Sequence, residues 1–248
     1  MLRKKPEQIM EIRPNSGGRT FRIVDYNPND GEEYNPFTED ITGTQGGMKI
    51  FTSGKVTEQF YNALNILKNN GHKIISLEEA IKLSIFEKIR EVFKEPFVVR
   101  DGFAIKKGEN EIYLTKNPLK YPLDPEQYKF DHVTGVYFSP SDEQLQKLLN
   151  DSVKITNRTS IIPIPTNRFG DDMITRFILG NESSDIGLHL NNEGILNLKF
   201  DLSMADLKPY YNDLKPLEFK LRDEEIYIDV NKVDRATFDS HVRGIRHY

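Results

Sequence analysis

Between Val56 and Lys116 the spacing of apolar residues changes from helical to alternating, and that change restricts the chain to an α+β fold. Val56, Phe60, Leu64 and Leu67 fall on one helical face, and Gly71 stands where a helix stop belongs. His72 to Ile75 suits a short strand. Ser76 and Glu79 have the spacing of a capping box at the start of a second helix. Its apolar stripe is Leu77, Ile81, Ile85, Ile89, Val92 and Phe93; Pro96 closes it, and a break near Ser84 divides it into two shorter helices. In the stretch that follows, Asp101-Gly102 reads as a hairpin turn, and Lys107 to Asn110 as a second turn.

Helix, strand, helices and hairpin, in that order, match a winged-helix module in outline. Ser84 to Lys94 is then the recognition helix, and Lys106-Lys107 lie in the wing. The charges oppose a DNA-binding use of this module. Glu87, Lys88, Arg90, Glu91 and Lys94 alternate in sign, whereas phosphate contacts favour a clear basic face. Protein contact is at least as good a use for such a shape.

Residues 1–55 have another character. The stretch from Asp25 to Gly47 is rich in Asn, Asp, Gly and Pro and poor in apolar side chains. Short strands are expected only at Thr20 to Val24 and Met48 to Phe51, so the segment reads as an extended arm. Ordering each backbone residue costs roughly 1–2 kcal/mol, and burying a large apolar side chain returns only about 1.5–3 kcal/mol. The scattered apolar residues here do not offset a segment this long, so pairing to another surface is expected to contribute. Phe21, Ile23, Tyr26, Tyr34 and Phe37 are the expected partner-binding residues. The basic residues near the two ends, Arg3, Lys4, Lys5, Arg13, Arg243 and Arg246, are the expected contacts to an acidic partner or to nucleic acid.

Pro118, Pro122 and Pro125 mark residues 117–131 as a linker. Beyond it the pattern is mainly strands. Val133 to Phe138, Ser160 to Ile164, Met173 to Leu179, Ile186 to Leu190 and Ile195 to Phe200 follow at short spacing, with a short helix at Ser141 to Leu149. Leu217 to Arg222 and Glu225 to Val230 form a hairpin, and Asp234 to Val242 suits a terminal helix ahead of a basic tail. The expected organisation is an arm (1–55), an α/β module (56–116), a linker (117–131) and an antiparallel β domain (132–248) of sandwich or barrel-like form.

No motif for catalysis or for a cofactor survives inspection. There is no Cys, which removes disulfides, thiolate metal sites and Cys nucleophiles. The Gly54-Lys55 pair lacks the Gly and the Ser or Thr of a phosphate loop, since Lys49 and Val56 stand there. Asp25, Asn27 and Asn29 alternate like calcium ligands, but Asp30 and Pro36 occupy the Gly and Glu positions of an EF-hand; an irregular metal site in the 25–40 acidic loop is the residual reading. Glu218 and Lys220 on one strand, with Asp201, Asp206 and Asp213 upstream, resemble a nuclease acidic core only loosely, because alternating charge is ordinary on a half-exposed strand. His72, His132, His189, His241 and His247 have no helical zinc spacing, and His189 reads as an exposed strand residue. Asp171-Asp172 reads as a turn.

Net charge is −4, so the chain as a whole is no polycation. Charges follow Met1 at once, without the apolar region of a signal peptide, and no run approaches the length of a membrane span. The expectation is therefore an intracellular or virion-borne, non-catalytic structural subunit of a large assembly, homo-oligomeric and bound to other protein subunits, with no metal, cofactor or membrane. A phage tail or neck component suits a chain rich in Lys, Asn and Ile with a long arm. A nucleic-acid-binding protein using 56–116 is the alternative, and a divergent metal-dependent nuclease is the second alternative.

Overall fold

The computed structural model describes residues 8–11, 19–23, 37–108, 111–116, 128–131, 135–138, 140–156, 161–202, 212–230 and 239–248. They fall into two compact units: Met1–Ile74 with His241–Tyr248, and Ile75–Ser240. Both are α+β and rich in strands. No helix among the described residues is long and apolar enough to cross a membrane.

The first unit is an antiparallel meander. Strands β1 (Gln8–Glu11), β2 (Arg19–Ile23), β3 (Phe37–Gln45) and β4 (Met48–Gln59) pair in chain order. The chain's last strand, β15 (Asp239–His247), lies beside β4, and β5 (Lys73–Ile74) pairs with β15. Helix α1 (Phe60–Asn69) buries Ala63, Leu64 and Leu67. It ends at Gly71, whose φ of 73° is the left-handed conformation that L side chains avoid. The Gly71 N–H donates to the Lys68 carbonyl and the His72 N–H to the Leu67 carbonyl, which satisfies the helix's last carbonyls.

Three expectations fail in this unit. Residues 37–55 are not irregular: β3 and β4 run for nine and twelve residues, joined at Gly46 and Gly47, both with positive φ. Gly46 and Gly47 fill one tight hairpin turn, and Ile41, Phe51 and Val56 are buried. Val56 lies in β4 rather than on the helix. Residues 239–247 form a strand and not the end of a helix, and Ser53 Oγ donates to the Gly244 carbonyl at 2.8 Å. A Cβ at Gly244 would stand 2.6 Å from Leu67, so glycine lets this strand approach α1 closely.

The second unit holds helices α2 (Leu77–Leu83), α3 (Glu87–Val92), α4 (Asp142–Leu149), α5 (Met173–Leu179) and α6 (Ser183–Asn192). Ser76 with Glu79 and Ser141 with Gln144 form both expected capping boxes. Its strands are β6 (Phe97–Ile105), β7 (Ile112–Thr115), β8 (Tyr128–Asp131), β9 (Gly135–Phe138), β10 (Ser152–Thr156), β11 (Ile161–Pro165), β12 (Asn197–Asp201), β13 (Asp213–Arg222) and β14 (Glu225–Val230). Within this unit the order β10-β7-β6-β13-β14-β12-β11 is antiparallel except for β12 with β14, and β8 and β9 extend from β13. Phe93, Phe97 and Phe219 pack ring against ring at its centre, with centroids 4.8–5.7 Å apart.

Two runs expected as strands are helices. Asp172 is the N-cap of α5, accepting from the N–H groups of Ile174 and Thr175 at 2.9 Å. In α6 the buried residues are Ser183, Gly187 and Leu190, a helical period, so His189 lies on an exposed helix face and not on a strand. A Cβ at Gly187 would stand 2.2 Å from the Thr166 carbonyl oxygen, so glycine allows α6 to lie directly on that backbone. Asp101-Gly102 is not a turn either: both lie inside β6, and the β6–β7 turn falls after Ile105.

Candidate functional site

The irregularity inside β6 lies beside a cleft of the second unit. On β13, Pro216 faces Gly102 and the next residue, Leu217, faces Val99. Arg100 and Asp101 are therefore extra residues, a bulge opposite a proline that has no N–H for the ladder. Their bonds go elsewhere. The Arg100 N–H donates to the Ile75 carbonyl at 2.8 Å, and the Asp101 carboxylate accepts from the Leu77 N–H at 2.5 Å. Asp101 thereby fixes the start of α2 beside the bulge.

Arg100 and Asp101 line a cleft of about 30 Å³ with Ser76 and Glu78 of the α2 start. Leu114 comes from β7, Lys116 is the residue after that strand, and Phe177 and Ile178 come from α5. Lys116 Nζ stands 5.3 Å from the centre of the Phe177 ring. Glu78 accepts from Lys82 Nζ at 2.9 Å, and Lys82 also meets Glu182. Burial works to lower the Lys82 pKa, but hydrogen bonds to Glu182 and Glu78 outweigh it and leave the group raised. Arg100 Nε is buried and has no hydrogen-bond partner among the described residues. The cleft thus brings two cations, Arg100 and Lys116, and two carboxylates, Glu78 and Asp101, together with the apolar side chains of Leu77, Leu114, Phe177 and Ile178.

In the first unit several buried polar groups meet one another. Arg243 is 2% exposed and forks onto Asp40, with Nη1 and Nη2 at 2.6 and 2.7 Å from the two carboxylate oxygens. His72 Nε2 is 3.1 Å from Thr52 Oγ1, and His72 Nδ1 is 2.9 Å from the Asn70 carbonyl oxygen. Burial lowers the His72 pKa below 6.5; the Asn70 carbonyl and Glu39 oppose that shift and Arg246 adds to it. The sign follows. The unfolded chain takes a proton more readily than the folded one, so this contribution is present above pH 6.5 and is lost as pH falls below it. Urea midpoints of wild type and His72→Gln at about pH 7.5 and 5.5 test this; the wild type should lose more, by up to roughly 1.4 kcal/mol per pH unit. Equal losses would remove His72 as the cause.

The residues singled out in the sequence scatter. Phe21 and Ile23 lie on β2, which is paired on both sides, with β1 and with β3. Phe37 opens β3 and is half-buried, its ring centre 5.0 Å from that of His72. Tyr26, Tyr34, Arg3, Lys4, Lys5 and Arg13 lie outside the described residues, as does most of the 25–40 loop. Arg246 is exposed, its guanidinium 4.9 Å from the Tyr248 ring centre. Arg243 is no tail contact: its strand carries it into the first unit, and Asp40 neutralises it there. Glu218 and Lys220 are half-buried on β13, with Lys220 Nζ 5.8 Å from the Tyr227 ring centre. Asp213 is buried and ion-paired with Lys215 at 3.0 Å. Among the described residues no three His, Asp or Glu side chains converge to hold a metal ion.

Arg100, Lys116 and Phe177 were missed as a group. The signal was present: Pro216, within the run that becomes β13, marks a place where a ladder must break.

No known family pattern matches the chain, and no curated protein matches it in sequence. In structure it is similar to a Nanoarchaeota protein described for the accommodation of massive sequence variation by the C-type lectin fold. The TM-score is 0.54 at 12% identity, over 82% of this chain and 99% of that one. The likeness is one of fold: a sheet-rich α+β arrangement.

Proposed function

We propose that this protein is a non-catalytic structural subunit of a larger protein assembly, recruited through the free edge of its N-terminal meander. One observation carries the reading. Among the described residues β1, with sequence QIME, pairs with β2 alone and contains neither lysine nor proline. The other end strands are guarded by one or the other: Lys73 in β5, Lys129 in β8, Lys154 in β10, and Pro163 and Pro165 in β11. Alternate residues of a strand donate to the same side, so two prolines two apart leave Ile161 as the one donor on that side of β11. An unguarded edge beside guarded ones is a place for another chain to add a strand. The expected partner is a second copy of the chain, within an assembly of the phage tail or neck kind.

The arm of the sequence reading enters this proposal as the meander. The winged-helix reading of 56–116 has less support, because Arg90 of α3 is taken by Glu193, at 2.6 Å from its carbonyl oxygen and 3.1 Å from its carboxylate, and Lys94 by Glu91 at 2.7 Å. The fold likeness suits a scaffold that accommodates sequence variation.

Sedimentation velocity of the full chain at about 1–100 μM tests the proposal. Wild type is expected to self-associate. Ile9→Pro and Met10→Pro each remove one donor, on opposite sides of β1, and the outward one is expected to weaken association by about tenfold or more. A wild-type chain that stays monomeric throughout, or association unchanged in both variants, overturns the reading.

A further inference from the structure

We propose that the corner of the first unit formed by Lys49, Arg246 and Tyr248 binds single-stranded nucleic acid, with the two cations on phosphate and the tyrosine ring stacked on a base. Three observations meet there. The first is charge. The whole chain carries −4, but Met1–Ile74 with His241–Tyr248 holds 12 Lys and Arg against 9 Asp and Glu, a net +3. The rest of the chain therefore stands at −7, and the positive surplus lies in the first unit.

The second observation is a pair of cations beside one open ring. Lys49 of β4 and Arg246 of β15 are both exposed. The Arg246 guanidinium stands 4.9 Å and Lys49 Nζ 5.9 Å from the centre of the Tyr248 ring. Tyr248 is still 59% exposed, so the cations flank the ring without covering it. Among the described residues neither cation is in an ion pair. Two acids of the unit have other neighbours: Asp40 takes Arg243, and Glu39 lies 3.7 Å from His72. The third observation is that backbone holds the group together. The Tyr248 N–H donates to the Ile50 carbonyl at 3.1 Å, which seats the residue beside the start of β4. Gly71 leaves space for Arg246, since a Cβ there would stand 3.2 Å from Nη1.

An exposed tyrosine between two cations meets both halves of a nucleotide. Phosphate takes the guanidinium and ammonium groups, and an unpaired base has a face for the ring. A duplex keeps its bases stacked on one another and offers the ring no such face. An acidic polypeptide would use the cations and leave the ring idle. The surface is open, and the positive surplus of the unit supplies attraction along the rest of a strand. This surface is not that of the winged-helix reading, whose Arg90 and Lys94 are engaged by Glu193 and Glu91, and it does not rest on recruitment through β1.

The test follows the fluorescence anisotropy of a labelled oligothymidylate of about 12 nucleotides as the full chain is added, between about 50 and 200 mM sodium chloride. Wild type is expected to bind, with affinity falling as salt rises. Lys49→Ala combined with Arg246→Ala should weaken binding by about tenfold or more at the lower salt. It should also flatten the log–log salt slope by about 1.4, the share of two phosphate contacts on a single strand. Tyr248→Leu should weaken binding by about five- to tenfold and leave the slope unchanged, while Tyr248→Phe should bind like wild type. Tyr248→Leu alone carries the test if the double variant fails to fold. The proposal is overturned if wild type does not bind at the lower salt, or if the double variant or Tyr248→Leu binds like wild type. It is also overturned if a duplex of the same length, or polyglutamate, binds as tightly; the latter result assigns the surface to an acidic polypeptide.

Discussion

Phe219→Ala should lower the stability of the second unit by about 3–5 kcal/mol, one of the two largest effects expected of any single substitution in this chain. The Phe219 ring stands 5.7 Å from Phe93, edge to face, and 5.2 Å from Phe97, with Phe93 and Phe97 4.8 Å apart. All three are 2% exposed or less. Truncation removes the transfer free energy of the ring and leaves a hole that its neighbours cannot fill, because each is fixed by its own element. Phe97 starts β6, whose ladder with β13 pairs it directly with Phe219. Phe93 follows α3, and its carbonyl accepts from the Leu221 N–H at 2.9 Å. Phe219→Leu should recover more than half of the loss, since most of the volume returns. Urea denaturation followed by the hydrogen exchange of β6 and β13 amides measures it. A loss under about 1 kcal/mol for the alanine variant would show that the three rings do not form the centre of that core.

The parts of the fold that were legible in the sequence are those governed by local chemistry. Ser76 with Glu79, and Ser141 with Gln144, cap helices through side chains three residues away, and a reader of the sequence has both partners in view. Gly71 and the hairpin of β13 and β14 belong to the same class. The errors fall where distant partners decide. Met173 to Leu179 is a short apolar run that suits a strand or a helix; Asp172 and the packing of α5 make it a helix. Ile186 to Leu190 alternates in sequence, but Gly187 lets α6 sit on the Thr166 carbonyl, a contact that only the folded chain reveals. Asp101-Gly102 has the composition of a turn, but Gly102 pairs with Pro216, more than a hundred residues later, and Asp101 falls in the bulge beside it. The cleft inherits that problem: Arg100, Lys116 and Phe177 are brought together by three elements and share no spacing in the chain. Arg243 shows the reverse case, a residue near the end of the sequence that reads as a solvated tail and is buried by a strand joining β4.

Asp40→Ala should destabilise the first unit by about 3–5 kcal/mol, because it leaves the buried Arg243 guanidinium without its counter-charge. The two carboxylate oxygens accept from both terminal nitrogens, at 2.6 and 2.7 Å, in the forked geometry that makes such pairs strong. Ser53 Oγ lies 3.4 Å from Nη1, too far to replace a carboxylate, and it already donates to the Gly244 carbonyl. The cost comes from the charge left behind rather than from the pair's net value, and that distinction is measurable. Asp40→Ala combined with Arg243→Met removes the stranded charge and restores apolar packing, so the double variant should be more stable than Asp40→Ala alone, by about 2 kcal/mol or more. Strand pairing gives a local readout: hydrogen exchange in β3 and β4 should accelerate in Asp40→Ala and return toward wild type in the double variant. If Asp40→Ala costs under about 1 kcal/mol, or the double variant is worse than the single, the Arg243 charge is solvated in the native chain and the ion pair does not hold β15 in the first unit.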